Sequence, residues 1–63
     1  MPTLEIYLPA GHPEASKATL ISRLTDSTVK AIGAPAESIR ILLNELPETH
    51  YGIGGKTARS LGR

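Results

Sequence analysis

TLEIYLPAGHPEASKATLISRLTDSTVKAIGAPAESIRILLNEL, residues 3–46, decides the fold. Its first part alternates: Leu4, Ile6 and Leu8 face one way, and Thr3, Glu5 and Tyr7 the other. A period of two over residues 3–8 predicts a β-strand with one buried face. Pro9-Ala10-Gly11 ends it, since proline cannot donate to a ladder and glycine turns at little cost. His12-Pro13-Glu14 then reads as a helix start, with proline suited to the first helical position and a carboxylate facing the positive end of the dipole. From Pro13 to Ile32, Ala18, Ile21, Leu24, Thr28 and Ile32 recur every three or four residues, broadened by Leu20, Val29 and Ala31. Lys17, Arg23, Asp26 and Lys30 lie mostly off that stripe, so the segment predicts an amphipathic helix. Gly33 is its C-terminal cap, and Pro35 prevents resumption. Residues 38–46 predict a second strand, apolar from Ile39 to Leu43 except at Arg40, and so a strand covered on both faces.

Strand, helix and strand joined by short links make one βαβ unit, an α/β (α+β) fold whose two strands run parallel through a right-handed crossover. The tail beyond Pro47 is glycine-rich and suggests a turn or hairpin around Gly52–Gly55, with a last short helix over Lys56–Leu61. Residues 1–63 are read as one domain. Two parallel strands and one helix leave one sheet face bare. That face argues for self-association, in which another copy extends or covers the sheet and pockets lie between subunits.

At 63 residues the chain is short for a self-sufficient core, and such chains generally carry a staple. Cysteine is absent, which excludes disulfides and thiolate metal sites; Phe and Trp are absent too, leaving Tyr7 and Tyr51 as the aromatics. Oligomerisation is the staple that remains. Seven Lys/Arg against six Asp/Glu give a net charge of +1 with no basic block, so nucleic acid is not an expected partner. No apolar run reaches the length of a membrane span, and the N-terminus lacks the pattern of an export signal. The expected setting is cytoplasmic.

Pro2 is the first candidate for chemistry. Removal of Met1 would leave a secondary amine rigidly held at the start of a strand. Burial or a nearby cation lowers the pKa of such an amine, and near neutrality it serves as both base and acid. Met-Pro alone is an ordinary chain start, so this reading needs support from elsewhere. Arg40 is the second candidate: a guanidinium within an apolar strand calls for an anion, either a substrate carboxylate or oxyanion, or a neighbour such as Glu37 or Glu45. His12, beside a helix N-terminus, reads as the helix cap or an anion contact. His50 reads as a surface loop residue, and two histidines without a carboxylate constellation make no metal site. Gly54-Gly55-Lys56-Thr57 matches only the end of a phosphate-binding loop, since His50 stands where the first glycine belongs. The serines lack the partners of a nucleophilic triad.

Taken together, Pro2 after Met1, P-A-E-S-I-R at 35–40 and H-Y-G-I-G-G at 50–55 resemble the 4-oxalocrotonate tautomerase family over nearly the whole chain, from Pro2 to about Arg59. The resemblance implies β-α-β subunits paired into dimers with a four-stranded sheet, gathered as a homohexamer, a trimer of dimers. It implies cofactor- and metal-independent ketonisation of an enol or dienol acid, a small-molecule carboxylic acid, with Pro2 as base and acid. It further implies Arg40 reaching from a neighbouring subunit to the substrate's carboxylate or 2-oxo oxygen. Tyr51 falls where the family usually has phenylalanine, in the apolar wall around the amine. His12 stands where the best-known members have arginine, and Pro9 replaces an apolar residue that has an N–H. These three, expected to touch substrate, bear on specificity, with a monocarboxylate enol favoured over a dicarboxylate. The expected substrates are 2-hydroxy-dienoate or arylenolpyruvate-type acids. The alternatives are hydration, dehalogenation or decarboxylation on the same scaffold, and a non-catalytic oligomeric binding module.

Overall fold

A computed structural model describes residues 2–63; the processing of Met1 lies outside them. Strand β1 is Thr3–Pro9, helix α1 is Glu14–Ile32, β2 is Arg40–Leu46, β3 is Gly52–Ile53 and β4 is Lys56–Thr57. β1 and β2 pair in parallel, with Thr3 opposite Arg40 and Pro9 opposite Leu46. β3 and β4 form a separate antiparallel hairpin. The β-α-β unit and the terminal hairpin are as the sequence indicates.

The boundaries move for local reasons. β1 runs one residue further, through Pro9, because the next ladder bond comes from Ala10, whose N–H donates to the Leu46 carbonyl at 2.9 Å. Successive residues of a strand present their backbone groups to opposite sides, so the Pro9 nitrogen faces away from β2 and its missing hydrogen costs the ladder nothing. Pro13 is the N-cap of α1 rather than its first residue, and no side chain caps that end, so His12 is not the cap. Gly33 closes the helix at φ +72, its N–H donating to the Val29 carbonyl at 2.9 Å. β2 begins at Arg40 rather than 38, because Ser38 N–H and Oγ both donate to the Pro35 carbonyl and wind 36–38 into a 3₁₀ turn. Lys56–Leu61 is not a helix: Lys56 and Thr57 belong to β4, and a single turn closed by the Leu61 N–H on the Thr57 carbonyl at 3.2 Å follows.

Helix α1 covers one face of the sheet, toward which Leu4, Ile6, Leu8, Ile41 and Leu43 are half-buried. The half-buried helix residues are Lys17, Leu20, Leu24, Thr25, Thr28 and Val29, so the inward stripe is rotated from the expected one. Ala18, Ile21 and Ile32 are exposed, and Lys17 points in because Glu45 stands opposite it on β2. The other face carries Thr3, Glu5, Tyr7, Pro9, Arg40, Leu42, Asn44 and Leu46; the C-terminal segment reaches its Pro9–Leu46 end, and the rest has no layer over it, with Tyr7 62% and Leu42 49% exposed. β2 is therefore covered on one face within the chain, not both.

Among the described residues, Ile39 and Ala58 alone are buried hydrophobics. The chain extends 42 × 24 × 14 Å with a radius of gyration of 14.5 Å, against about 11 Å for a compact chain of this length. Its accessible surface is 4632 Å², where a self-contained monomer of this mass exposes roughly 3900 Å².

Candidate functional site

Two clusters of sequence-singled residues lie at opposite ends of the β1–β2 pair. At the first end, the Arg40 N–H donates to the Pro2 carbonyl at 3.0 Å, extending the ladder one step before Thr3 and holding the two residues side by side. Pro2 is half-buried. Ile39, the residue before Arg40, is the best buried residue of the strand region, 8% exposed. Arg40 sits on the uncovered face, exposed. Its Nη1 donates to the Glu37 carbonyl at 2.8 Å, and it makes no ion pair among the described residues. The backbone bond thus orients the guanidinium without neutralising it.

The second end gathers Pro9 and Tyr51. β1 separates it from Pro2 by seven residues, about 23 Å at the rise of a strand. A cavity of about 240 Å³ opens here, lined by Pro9, Leu46, Glu48, Tyr51, Ile53, Ala58 and Arg63. The Ala58 N–H donates to the Tyr51 carbonyl at 2.7 Å and Arg59 N–H to the Glu48 carbonyl at 3.3 Å, so the hairpin carries these walls as one piece. Gly54 and Gly55, at φ +59 and +84, form its tight turn. His12 is exposed in the loop before α1 and is not part of the cavity lining.

His12 instead neighbours an ionic cluster. The Lys17 ammonium donates to Glu45 at 2.8 Å and is also paired with Glu14. Its pKa is raised above the ordinary lysine value by its hydrogen bonds to Glu14 and then Glu45. The Glu45 carboxyl is held below the usual range, first by the Lys17 hydrogen bond and further by the Gly11 backbone N–H and the charge of His12. Among the described residues, no three His, Asp or Glu side chains gather as a metal ion would require. None of their helices is long and apolar enough to cross a membrane.

A single chain therefore brings Pro2 and Arg40 together, and separately Pro9 and Tyr51, but not one pair to the other. Sequence reasoning missed Arg63 and Glu48 of the cavity and the Lys17–Glu45 link. The signal for Arg63 was the preceding Gly62, which turns the chain back; the others depend on contacts distant in sequence.

Residues 2–60 match the family described as tautomerase enzyme. A 2-hydroxymuconate tautomerase of Stutzerimonas stutzeri is 35% identical over 63 residues, the whole of both chains. The crystal structure of an apo unfused 4-OT superposes with a TM-score of 0.87 at 65% identity, covering 90% of this chain and 98% of that one. A heterohexameric 4-oxalocrotonate tautomerase from Chloroflexus aurantiacus superposes with a TM-score of 0.91 at 30% identity, covering 97% and 98%.

Proposed function

Because this chain belongs to the tautomerase enzyme family, we propose that it ketonises a 2-hydroxy-dienoate or arylenolpyruvate-type acid with Pro2 as the proton carrier. It is an isomerase of that family, and the 2-hydroxymuconate acted on by its relatives is one member of the proposed substrate class.

In the proposed reaction Met1 has been removed and Pro2 carries a free secondary amine. The neutral amine takes the proton of the enol hydroxyl, and the protonated amine then returns it to a carbon of the conjugated chain, leaving the keto acid. No other group enters or leaves. Arg40 of a neighbouring copy receives the oxygen on which charge develops, with its fork of donors pre-aimed before the proton moves. Tyr51 and Pro9 of another copy wall the amine from water and keep it neutral. His12, exposed in the loop before α1 and outside the cavity lining, takes no part in the proposed reaction.

The observation that carries this reading is the separation of the two clusters along β1. Pro2 and Arg40 stand at one end and Pro9 and Tyr51 at the other, so a complete site calls for ends from different copies. The uncovered face with Tyr7 and Leu42, and the surface in excess of a self-contained monomer, support the same conclusion. A homohexamer built as a trimer of dimers is the proposed assembly; the heterohexameric relative supports a count of six subunits. The proposed setting is the cytoplasm.

The test is ketonisation of phenylenolpyruvate and 2-hydroxymuconate by the processed protein and by Pro2→Ala and Arg40→Ala. Pro2→Ala should lose roughly 10²-fold or more in kcat, the contribution of a positioned acid–base group. Unchanged rates for both variants would sink the proposal. Mass spectrometry of protein from its native cell should find Met1 absent. A ¹⁵N titration of Pro2 separates ketonisation, which needs the neutral amine at pH 7, from hydration on the same scaffold, which needs the protonated one.

A further inference from the structure

The cavity at the far end of β1 has an apolar lining of Pro9, Leu46, Tyr51, Ile53 and Ala58 and two charged groups, Glu48 and Arg63. Neither charge is in an ion pair among the described residues. At about 240 Å³ the space is small, below the roughly 300–1,000 Å³ of sites for drug-sized ligands, and suits a short organic acid.

Arg63 is held at this cavity by its own backbone. Its N–H donates to the Ala58 carbonyl at 3.0 Å, and the Gly62 N–H donates to the Arg59 carbonyl at 3.1 Å. With Gly62 at φ +72, these are the two bonds of a Schellman closure, which needs a left-handed residue at that position. Ala58, which anchors the turn, is one of the two buried hydrophobics, 7% exposed. His12, the residue expected at the substrate's far end, is exposed in the loop before α1 and outside the lining.

We infer that Arg63 is a specificity-determining residue, whose guanidinium takes the far carboxylate of a small unsaturated dicarboxylate seated between Tyr51, Ile53 and Pro9. The inference rests on the proposed substrate class and deepens it: Arg63 supplies the cation that His12 does not, and a dicarboxylate is accepted. Glu48, at the same wall, repels the carboxylate and so fixes which side of the cavity the anion occupies. A guanidinium meets a carboxylate with two parallel N–H···O bonds, which a histidine cannot offer.

Calorimetric titration with muconate and with sorbate tests this without turnover, since the two dienoates share a carbon skeleton and differ in the far carboxylate. Wild type should bind muconate more tightly. Arg63→Ala should weaken muconate about tenfold, in keeping with a charge-assisted hydrogen bond, while its ratio to sorbate collapses toward one. Arg63→Lys, which keeps the charge, should recover the larger part of the ratio. Equal losses on both ligands, an unaltered ratio in Arg63→Ala, a lysine variant that behaves like the alanine one, or no binding of muconate by wild type would each overturn the inference. Ketonisation failing while the binding pattern holds would instead refute the proposed reaction and leave the Arg63 contact standing.

Discussion

Leu42 offers the most direct measure of what the uncovered face contributes. It lies on β2 opposite Glu5, with 49% of its surface exposed. Burying a leucine fully is worth about 1.5–3 kcal/mol, so the exposed half withholds roughly 1 kcal/mol per copy. Where two copies cover one another through this face, Leu42→Ala removes about 2 kcal/mol, which raises the dissociation constant about 30-fold. Leu42→Asp adds an unpaired carboxylate to a face that is to be dried, at a further cost of several kcal/mol. Sedimentation equilibrium over a dilution series reads both effects. Wild type should remain assembled at the lowest concentrations, Leu42→Ala should dissociate within the series, and Leu42→Asp should be dissociated throughout. Enol ketonisation measured on the same samples should fall with the assembled fraction, because the Pro2 end and the Tyr51 end of one chain are a strand's length apart. A wild type that is monomeric and active, or a Leu42→Asp that assembles as wild type does, would refute the reasoning.

Two further outcomes are expected. Because the folded Glu45 pKa lies below its unfolded value, the unfolded chain binds more protons in acid. The stability this gives is present above the ordinary carboxylate range and is lost as pH falls through the folded value. Melting curves at fixed protein concentration should therefore show wild type losing its margin over Glu45→Gln as pH drops below the carboxylate range, and added salt should shrink that margin because the pair is exposed; parallel curves would count against it. Gly33→Ala, at φ +72 with open space where the Cβ would go, suffers backbone strain without a clash; it should lose about 1 kcal/mol, or about 4–8 °C in Tm for a small domain, by calorimetry.

The parts of the fold legible in the sequence were those fixed by neighbours in the chain. Leu4, Ile6 and Leu8 alternate because one strand face meets the helix, and Gly33 stops the helix because its φ is left-handed. What escaped depended on distant partners. Lys17 reads as a solvent residue in any helical projection, and only Glu45, 28 positions away, turns it inward. Apolar spacing places Ser38 in a strand because the competing bonds to the Pro35 carbonyl leave no trace in it. In the candidate site, chemistry and resemblance single out Pro2 and Arg40, and their adjacency follows from the parallel pairing. Tyr51 and Pro9 were named, but the cavity they share with Arg63 depends on how the hairpin folds back, which residue types alone do not encode.

The Schellman closure at Gly62 has a consequence for how the protein is handled. One of its bonds ties Arg63 to Ala58 and the other ties Gly62 to Arg59, so a purification tag fused after Arg63 would emerge beside the cavity. In the proposed reaction an added residue before Pro2 is equally unwelcome, since it makes the Pro2 nitrogen an amide. An affinity handle grafted onto the outward side of the helix, near Arg23 or Ser27, avoids both positions.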